Sequence, residues 1–359
     1  MPHTLELSQT LSCWELYELV EKSFYGYAKK HGLNCSYPLE RRDNGNMNVI
    51  GTQFTAFSDK GITMYSVIYS GTRFTTYTWE IKINPQSRNG IDRISVADEV
   101  DVMESFDLLD SLLRCELNIP FSYKDFHINR LDCAYNHAFH NFDMAKLYIS
   151  LQKKGDIPDE LKCFDRYSDK AHKRIVPKDS IYCWNESRTV TINIYIKESQ
   201  LQIDRYVGEN YDFAPTKGLL RMEVQCSRQK LVGCQNMLRV NNLNPEPFIK
   251  DSFNFYILRY YLAWLFRTGD YYTFALARQA ISNSQYHKAS KDLMLLMLEL
   301  TSTRGSLKGA IREMTAMGYS DYDIRATLRR FDSLNVNPVT IPVKYGIDYL
   351  PSPVNLLPK

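Results

Sequence analysis

The stretch of residues 189–198, TVTINIYIKE, constrains the fold most strongly, because aliphatic and polar side chains alternate along it for the full length of a strand. Successive side chains of a β-strand point to opposite faces. One valine and three isoleucines therefore share one face, and Tyr195 and Lys197 lie side by side on the other. The aliphatic face must pack on a core, so the polar face is either solvated or a functional site.

Further segments with a period of two surround this strand. Residues 48–58, 61–70 and 72–84 are rich in β-branched and aromatic residues and are separated by short turns that contain glycine. This arrangement predicts an antiparallel meander. Two more strands are predicted over 126–136 and 219–227. We therefore expect a mainly antiparallel sheet.

Helical patterns flank and follow the predicted sheet. Apolar residues at helical spacing predict helices over about 13–31, 102–117 and 142–154. We therefore expect an α+β fold, with a central mainly antiparallel sheet and helices on one face, followed by an α-helical C-terminal domain. The predicted domains are residues 1–243 and 244–359.

Composition narrows the class of protein. Of the 359 residues, 44% are hydrophobic and 24% are charged, which is typical of a globular protein. The eight cysteines form no C-x-x-C pair and no zinc-type spacing, so we expect reduced thiols. The sequence has neither an apolar run long enough to span a bilayer nor the apolar core of a secretory signal, which predicts a cytoplasmic protein without a membrane partner. The net charge of +3 permits a nucleic-acid partner without indicating one.

Four predicted strands each carry two polar side chains that are two residues apart. The pairs are Glu80 with Lys82, Arg130 with Asp132, Tyr195 with Lys197, and Arg221 with Glu223. If these strands are neighbours in one sheet, the three carboxylates converge on Tyr195, and carboxylate oxygens favour hard cations such as Mg²⁺ or Mn²⁺. A tyrosine beside such a cation is a candidate nucleophile on a phosphodiester, with Lys197 stabilising the phenolate as it forms.

Each pair also has a purely structural interpretation. An Arg-x-Asp or Arg-x-Glu pair on a strand is usually an exposed, salt-bridged ladder that contributes little to stability. A single Tyr-x-Lys pair is more often an ordinary pair on the surface of a sheet than part of a site. With 25 tyrosines in the chain, most must be structural. The pairs together, rather than any one of them, favour a functional site.

An ordered set of motifs resembles the replication initiators of filamentous bacteriophages, the gene II protein family. The motifs are YTWEIKINP, INRLDCAYN, CWNESRTVTINIYIKESQLQ and GLLRMEVQCSRQKL. Within that family the chain is most similar to the replication proteins of cholera-toxin-type phages, and it resembles the rolling-circle Rep proteins of staphylococcal-type plasmids more loosely. The resemblance covers roughly residues 65–240 and continues weakly to PVKYGIDYLP near the C-terminus.

The resemblance implies a rolling-circle replication initiator, a site-specific single-strand endonuclease and ligase that acts on the plus strand of a replication origin. Tyr195 matches the family's nucleophile, which forms a 5′-phosphotyrosine and leaves a 3′-OH for a host polymerase, with a host helicase as a further partner. Glu80, Asp132 and Glu223 match the acidic positions that would hold Mg²⁺ or Mn²⁺, and Lys197 follows the tyrosine as in the family. The implied location is the cytoplasm of a bacterial host, and self-association on the origin is left open.

Three alternatives remain at this stage: an origin-binding replication regulator without catalysis, a metal-dependent nuclease that uses water, and a mobilisation relaxase. One departure from the wider superfamily concerns the metal motif, because two histidines flanking one apolar residue are absent. Metal ligation must then rest mainly on carboxylates. Tyr206 and Tyr211 are alternative nucleophiles, since tyrosines carried on helices serve related enzymes.

Residues 306–331 predict two amphipathic helices joined across Gly318, Tyr319 and Ser320. They are either a helix-turn-helix whose second helix enters a major groove, or a helical hairpin that packs only on its neighbours. The predicted DNA contacts are Lys82, Arg130, Arg221, Arg325, Arg329 and Arg330.

Overall fold

The computed structural model describes residues 2–42, 48–70, 74–89, 94–164, 166–168, 173–175, 178–203 and 213–358. Its strands are β1 (Pro2–Leu11), β2 (Ser36–Arg42), β3 (Asn48–Phe54), β4 (Ile62–Ser70), β5 (Thr75–Ile83), β6 (His127–Ala138), β7 (Leu161–Cys163), β8 (Arg166–Ser168), β9 (Lys173–Ile175), β10 (Ser180–Asn185), β11 (Val190–Ile196), β12 (Leu219–Ser227), β13 (Tyr271–Tyr272) and β14 (Tyr349–Leu350). Its helices are α1 (Trp14–His31), α2 (Glu99–Ser111), α3 (Phe142–Lys153), α4 (Lys197–Ile203), α5 (Arg228–Leu238), α6 (Glu246–Ile249), α7 (Asp251–Phe266), α8 (Phe274–Asn283), α9 (Lys288–Arg304), α10 (Leu307–Ala316), α11 (Asp321–Ser333) and α12 (Pro353–Leu356). The predicted α+β class, with a large antiparallel sheet and many helices, is confirmed.

The chain divides into two compact units, and neither is continuous in sequence. Unit 1 comprises Met1–Ala134, Ser187–Val190 and Val224–Asn254, and unit 2 comprises Tyr135–Glu186, Thr191–Glu223 and Phe255–Lys359. The helices from α8 onward thus belong to the same unit as the strand that carries Tyr195. The boundary predicted between residues 243 and 244 concerns which segments fold independently, and it stays a prediction.

In unit 1, six strands form an antiparallel sheet in the order β2-β3-β4-β5-β1-β6. The predicted meander, β3-β4-β5, is therefore confirmed. Strand β1, which was not predicted, lies between β5 and β6 and places Glu6 opposite both Lys82 and Arg130. The alternation of Leu5 and Leu7 with polar residues was a usable signal for this strand.

Helix α1 covers the apolar face of the unit 1 sheet. Its buried residues include Val20 and Phe24, as the helical spacing of apolar residues predicts. Phe24 stacks on Phe54 with 4.5 Å between ring centroids and meets Trp79 edge-on at 6.3 Å. Because side chains alternate along each strand, the opposite face of β5, β1 and β6 carries the charged residues.

The predicted first and third helices are confirmed as α1 and α3, the latter capped by Asn141, whose side chain accepts from the backbone N–H of Met144. The second predicted helix, 102–117, differs from the structure. Asp98 and Asp101 form a reciprocal capping box, so α2 begins earlier, and a π-helical turn, Leu112–Glu116, follows its end.

In unit 2, residues 135–138 of β6 are followed across the sheet by β12, β11, β10 and β7. Strands β10 and β11 are antiparallel, with Ser180 opposite Tyr195. Strands β10 and β7 are also antiparallel, with Cys183 opposite Cys163. This sheet holds the tyrosine that the sequence singled out.

Helices α10 and α11, which belong to unit 2, confirm the pair of helices predicted over residues 306–331. Ser320 begins α11 through a capping box with Asp323. Buried Asp270, which lies outside this pair, accepts hydrogen bonds from Tyr349, the Ser352 backbone and other groups near the C-terminus. Among the described residues, no helix is both long enough and apolar enough to cross a membrane.

Candidate active site

Strand β11 presents Tyr195 in a buried setting. The residue is 8% exposed, and both faces of the strand are largely covered, so the polar face is not solvated. The strand ends at Ile196, and Lys197 is the first residue of α4. The prediction that Lys197 extends the strand is therefore wrong, because a helix begins where the alternating pattern ends.

The Tyr195 hydroxyl donates a hydrogen bond of 2.7 Å to Oε1 of Glu223 on β12. The Glu223 side chain is 16% exposed, so the carboxylate lies at the more accessible end of the pair. The sequence predicted that a carboxylate meets Tyr195, and both residues belong to unit 2. A carboxylate that accepts a hydrogen bond from a phenol has the geometry of a general base.

Arg221 brings a buried positive charge to the same place. Its side chain is fully buried, and its guanidinium lies 3.8 Å from Oε1 of Glu223. Its Nε donates a 2.8 Å hydrogen bond to Oδ1 of Asn136 on β6, which fixes the plane of the guanidinium. Sequence reasoning missed Asn136, although it shares a strand face with Arg130 and Asp132 by parity.

The surroundings keep the phenol of Tyr195 protonated. Burial is the main cause that raises the pKa of Tyr195 well above its ordinary value, and the negative charge of Glu223 raises it further. The positive charge of Arg221 acts in the opposite direction and lowers the pKa. Tyr195 therefore reacts as a nucleophile only if another group takes its proton.

Lys197 contacts the ring of Tyr195. Its Nζ lies 5.7 Å from the ring centroid, within the range of a cation–π interaction. The same ammonium donates a 2.9 Å hydrogen bond to Gln200 within α4. The predicted stabilisation of a phenolate by Lys197 stays a prediction.

In unit 1, Arg130 joins two acidic side chains. Its Nε and one terminal nitrogen bind the two oxygens of Asp132 at 2.9 and 2.7 Å, and its other terminal nitrogen binds Glu6 at 3.0 Å. Although burial lowers the pKa of Arg130, Asp132 and Glu6 hold it above its usual value. This is the salt-bridged ladder that the structural interpretation predicts.

Glu80 and Lys82 lie on the same face of the unit 1 sheet. They line an open cavity of about 320 Å³ together with Glu6 and other residues of β1, β4 and β6. The hydroxyl of Tyr69 donates a hydrogen bond to Glu80. Lys82 lies opposite Glu6 in the strand register, two residues from Glu80.

The three predicted metal ligands are divided between the two units. Glu80 and Asp132 belong to unit 1 and Glu223 to unit 2, and all three carboxylates accept hydrogen bonds from neighbouring side chains. In the part of the chain that the structure describes, no group of three or more His, Cys, Asp or Glu side chains is arranged to hold a metal ion. Ligation of Mg²⁺ or Mn²⁺ by Glu80, Asp132 and Glu223 stays a prediction.

The remaining predicted residues lie elsewhere. On α11, Arg325 and Arg329 are exposed and Arg330 is half-buried, so the helix offers basic side chains to solvent, and contact with DNA stays a prediction. Tyr206 and Tyr211, the alternative nucleophiles, lie outside the described residues.

The chain was compared with protein families, curated proteins and solved structures. No family model matches the chain, and no curated protein matches it. Among solved structures, it is similar to a rolling-circle replication initiator protein from Geobacillus stearothermophilus, with a TM-score of 0.32 and 14% identity over 66% of this chain and 77% of that one. It is also similar to the di-domain ARO/CYC StfQ from the steffimycin biosynthetic pathway, with a TM-score of 0.18 and 11% identity over 67% of this chain and 90% of that one. Both TM-scores are too low for either likeness to carry an argument.

Proposed function

We propose that the protein is a rolling-circle replication initiator that nicks single-stranded origin DNA through Tyr195. The observation that carries the proposal is the 2.7 Å hydrogen bond from the Tyr195 hydroxyl to Glu223, beside the buried guanidinium of Arg221. The side chains proposed as nucleophile, proton acceptor and positive charge thus lie together in unit 2. The sequence resemblance to filamentous-phage initiators, whose nucleophile matches Tyr195, supports the same assignment.

In the proposed reaction, the hydroxyl oxygen of Tyr195 attacks the scissile phosphorus while its proton passes to Glu223. An ordinary phenol has a pKa of about 10 and a glutamic acid about 4.3, so this transfer is unfavourable until the oxygen–phosphorus bond begins to form. The bond to the 3′ oxygen breaks, that oxygen takes up a proton from water to become a free 3′-OH, and Glu223 returns the proton it accepted to water. The protein retains a 5′-phosphotyrosine, and the reverse reaction rejoins the strand.

Arg221 offsets the negative charge that the phosphoryl group brings next to Glu223. The arginines of α11 are proposed to hold duplex DNA, whereas Lys82 and Arg130 are proposed to contact phosphates of the single strand. A host polymerase and helicase would use the 3′-OH. No step of this mechanism is routed through a metal ion, and a requirement for Mg²⁺ or Mn²⁺ is tested separately by adding a chelator.

The test is detection of a covalent protein–DNA adduct on a denaturing gel, with labelled single-stranded DNA that carries the origin, in Mg²⁺ or Mn²⁺. We expect an adduct with the wild type and none with Tyr195→Phe, while binding of the same DNA is unchanged. Tyr182→Phe, which alters an exposed tyrosine of the same unit, is the matched control and should form the adduct normally. An adduct that persists in Tyr195→Phe would move the nucleophile to Tyr206 or Tyr211.

A second candidate function is an origin-binding regulator without chemistry. The observation that favours it is the burial of Tyr195, since a side chain that is 8% exposed is also what a structural hydrogen bond to Glu223 requires. This alternative predicts origin binding by the wild type with no adduct under any metal condition.

A further inference from the structure

Two cysteines of unit 2 face each other across neighbouring strands. Cys163 on β7 lies directly opposite Cys183 on β10, and their sulfur atoms are 2.7 Å apart. All eight cysteines of the chain lie in the described residues, and none is in a disulfide. The two sulfurs are thus already in contact without a covalent bond.

The strand register brings the two Cα atoms within disulfide range. The adjacent pair is hydrogen-bonded, because the backbone N–H of Phe164 donates to the carbonyl of Tyr182 at 2.9 Å. Pairs alternate along an antiparallel ladder, so Cys163 and Cys183 are a non-hydrogen-bonded pair, for which the Cα separation is about 4.5 Å. Disulfides span Cα separations of about 4.4–6.8 Å. Oxidation therefore needs no rearrangement of the backbone.

We propose that Cys163 and Cys183 form a modification site, a cross-strand dithiol that a low-molecular-weight disulfide of the glutathione class oxidises to an intramolecular disulfide. Cys163 is exposed and Cys183 is buried, so the reagent meets Cys163 first. The hydrogen bond to Cys163, together with burial, raises the pKa of the Cys183 thiol, so Cys183 keeps its proton until the second step. This proposal does not depend on the proposed nicking activity.

The reaction proceeds by two thiol–disulfide exchanges. Cys163 loses its proton, and its sulfur attacks one sulfur of the reagent, which breaks the reagent's sulfur–sulfur bond and releases one thiolate. Cys183 then loses its proton and attacks the sulfur of Cys163, which breaks the mixed disulfide and releases the second thiolate. Two protein thiols are oxidised, and one reagent disulfide is reduced to two thiols.

The disulfide has a physical consequence for unit 2. It ties β7 to β10 and closes the intervening chain, which contains β8 and β9, into a covalent loop. Closing a loop restricts the unfolded chain and raises the midpoint of thermal unfolding. Because β10 also pairs with β11, the covalent link lies one strand away from Tyr195.

The test uses the full chain with Cys115→Ser, which removes another exposed thiol, and oxidised glutathione as the reagent. We expect two thiols to become unreactive towards maleimide after denaturation, a mass lower by two hydrogen atoms, and a peptide that links Cys163 to Cys183. In the same background, Cys183→Ala should retain a glutathione adduct on Cys163, whereas Cys163→Ser should leave the thiol of Cys183 unmodified. The thermal midpoint should rise on oxidation and return with dithiothreitol.

Two results would overturn the proposal. One is a stable glutathione adduct on Cys163 with no linked peptide when Cys183 is present, because a thiol in contact must resolve the mixed disulfide. The other is the absence of any thiol loss over a wide range of reagent concentrations, because an exposed cysteine must exchange. Neither readout involves DNA, so failure here is distinguishable from failure of the proposed nicking activity.

Discussion

Replacing Glu223 with glutamine removes the proposed proton acceptor while preserving the shape of the site. The glutamine amide oxygen still accepts the hydrogen bond that Tyr195 donates, so the fold should be retained. At pH 7 a phenol with an ordinary pKa of about 10 is ionised in roughly one molecule per thousand, and burial lowers that fraction for Tyr195. We therefore expect Glu223→Gln to slow adduct formation by about 10²–10⁴-fold, the range for loss of a general base.

The dependence of the rate on pH provides the sharper readout. In the wild type, the proton leaves Tyr195 during the attack, so the rate of adduct formation should not depend on prior ionisation of the phenol and should be flat from about pH 6 to about pH 9. In Glu223→Gln, the reaction requires prior ionisation of Tyr195, so the rate should rise about tenfold per pH unit. Single-turnover adduct formation measured on denaturing gels over this range checks both profiles.

The control removes one negative charge from unit 2 away from Tyr195. Glu186 has a side chain that is 86% exposed and pairs with Lys162, so Glu186→Gln should leave the rate and its pH profile unchanged. A Glu223→Gln variant that reacts within about twofold of the wild type, with the same flat profile, would refute the assignment of Glu223 as proton acceptor.

Three further predictions concern stability and DNA binding. Asp270→Asn should lower the free energy of unfolding by at least about 2 kcal/mol in urea denaturation, because Asp270 is buried and accepts bonds from several donors near the C-terminus; an unchanged midpoint would contradict this. Arg325→Ala and Arg329→Ala should each reduce the slope of log affinity for origin duplex against log salt by about 1, while the exposed control Lys288→Ala leaves it unchanged. Equal slopes for all four proteins would remove α11 from the DNA interface. Burial is the main cause that raises the pKa of Tyr17 to about 12, so the folded state retains a proton that the unfolded state loses from about pH 10 upward. Stability present below about pH 10 should be lost as the pH rises to about 12, and Tyr17→Phe should reduce that loss in pH-dependent unfolding.

Local sequence patterns predicted those features of the candidate site that involve residues close together in the chain. The alternation in β11 placed Tyr195 on a polar face, and parity grouped Arg221 with Glu223. The same alternation could not show that Lys197 begins a helix, because a helical spacing of apolar residues becomes recognisable only over several residues beyond the end of the strand. The bond from Arg221 to Asn136 joins residues 85 apart in the chain, which no local pattern reveals.

Whether the three predicted metal ligands come together depends on strand register. The alternation of side chains along each strand does not determine that register. The sequence showed that Glu80, Asp132 and Glu223 each lie on a charged strand face. It did not show which side chain donates a hydrogen bond to each carboxylate. Asp132 binds Arg130 on its own strand, whereas Glu223 accepts from Tyr195 on the next strand. The same spacing thus produced a structural ladder in one place and a candidate site in the other.

Burial of the arginine distinguishes the structural ladder of unit 1 from the candidate site of unit 2. The side chain of Arg221 is fully buried, whereas that of Arg130 is 32% exposed. Burying a charge costs several kcal/mol, and replacing a buried charged group by apolar residues of similar volume is often neutral or stabilising by about 1–4 kcal/mol. We therefore expect Arg221→Met alone to lower the free energy of unfolding by about 3–5 kcal/mol, because it leaves Glu223 without its positive neighbour. The triple variant Tyr195→Phe, Arg221→Met, Glu223→Leu should recover most of that loss or exceed wild-type stability while forming no adduct.

Urea denaturation of the wild type, the single variant and the triple variant tests this expectation. Both variants remove the hydrogen bond that Arg221 donates to Asn136. Asn136 is half-buried, so water can replace that donor, and this loss should not make the two variants differ in stability. A triple variant as unstable as Arg221→Met would mean that the charged groups hold the sheet together. Recovery of stability would mean that unit 2 retains its buried charges at a cost to folding, which is the expected sign of a site selected for chemistry.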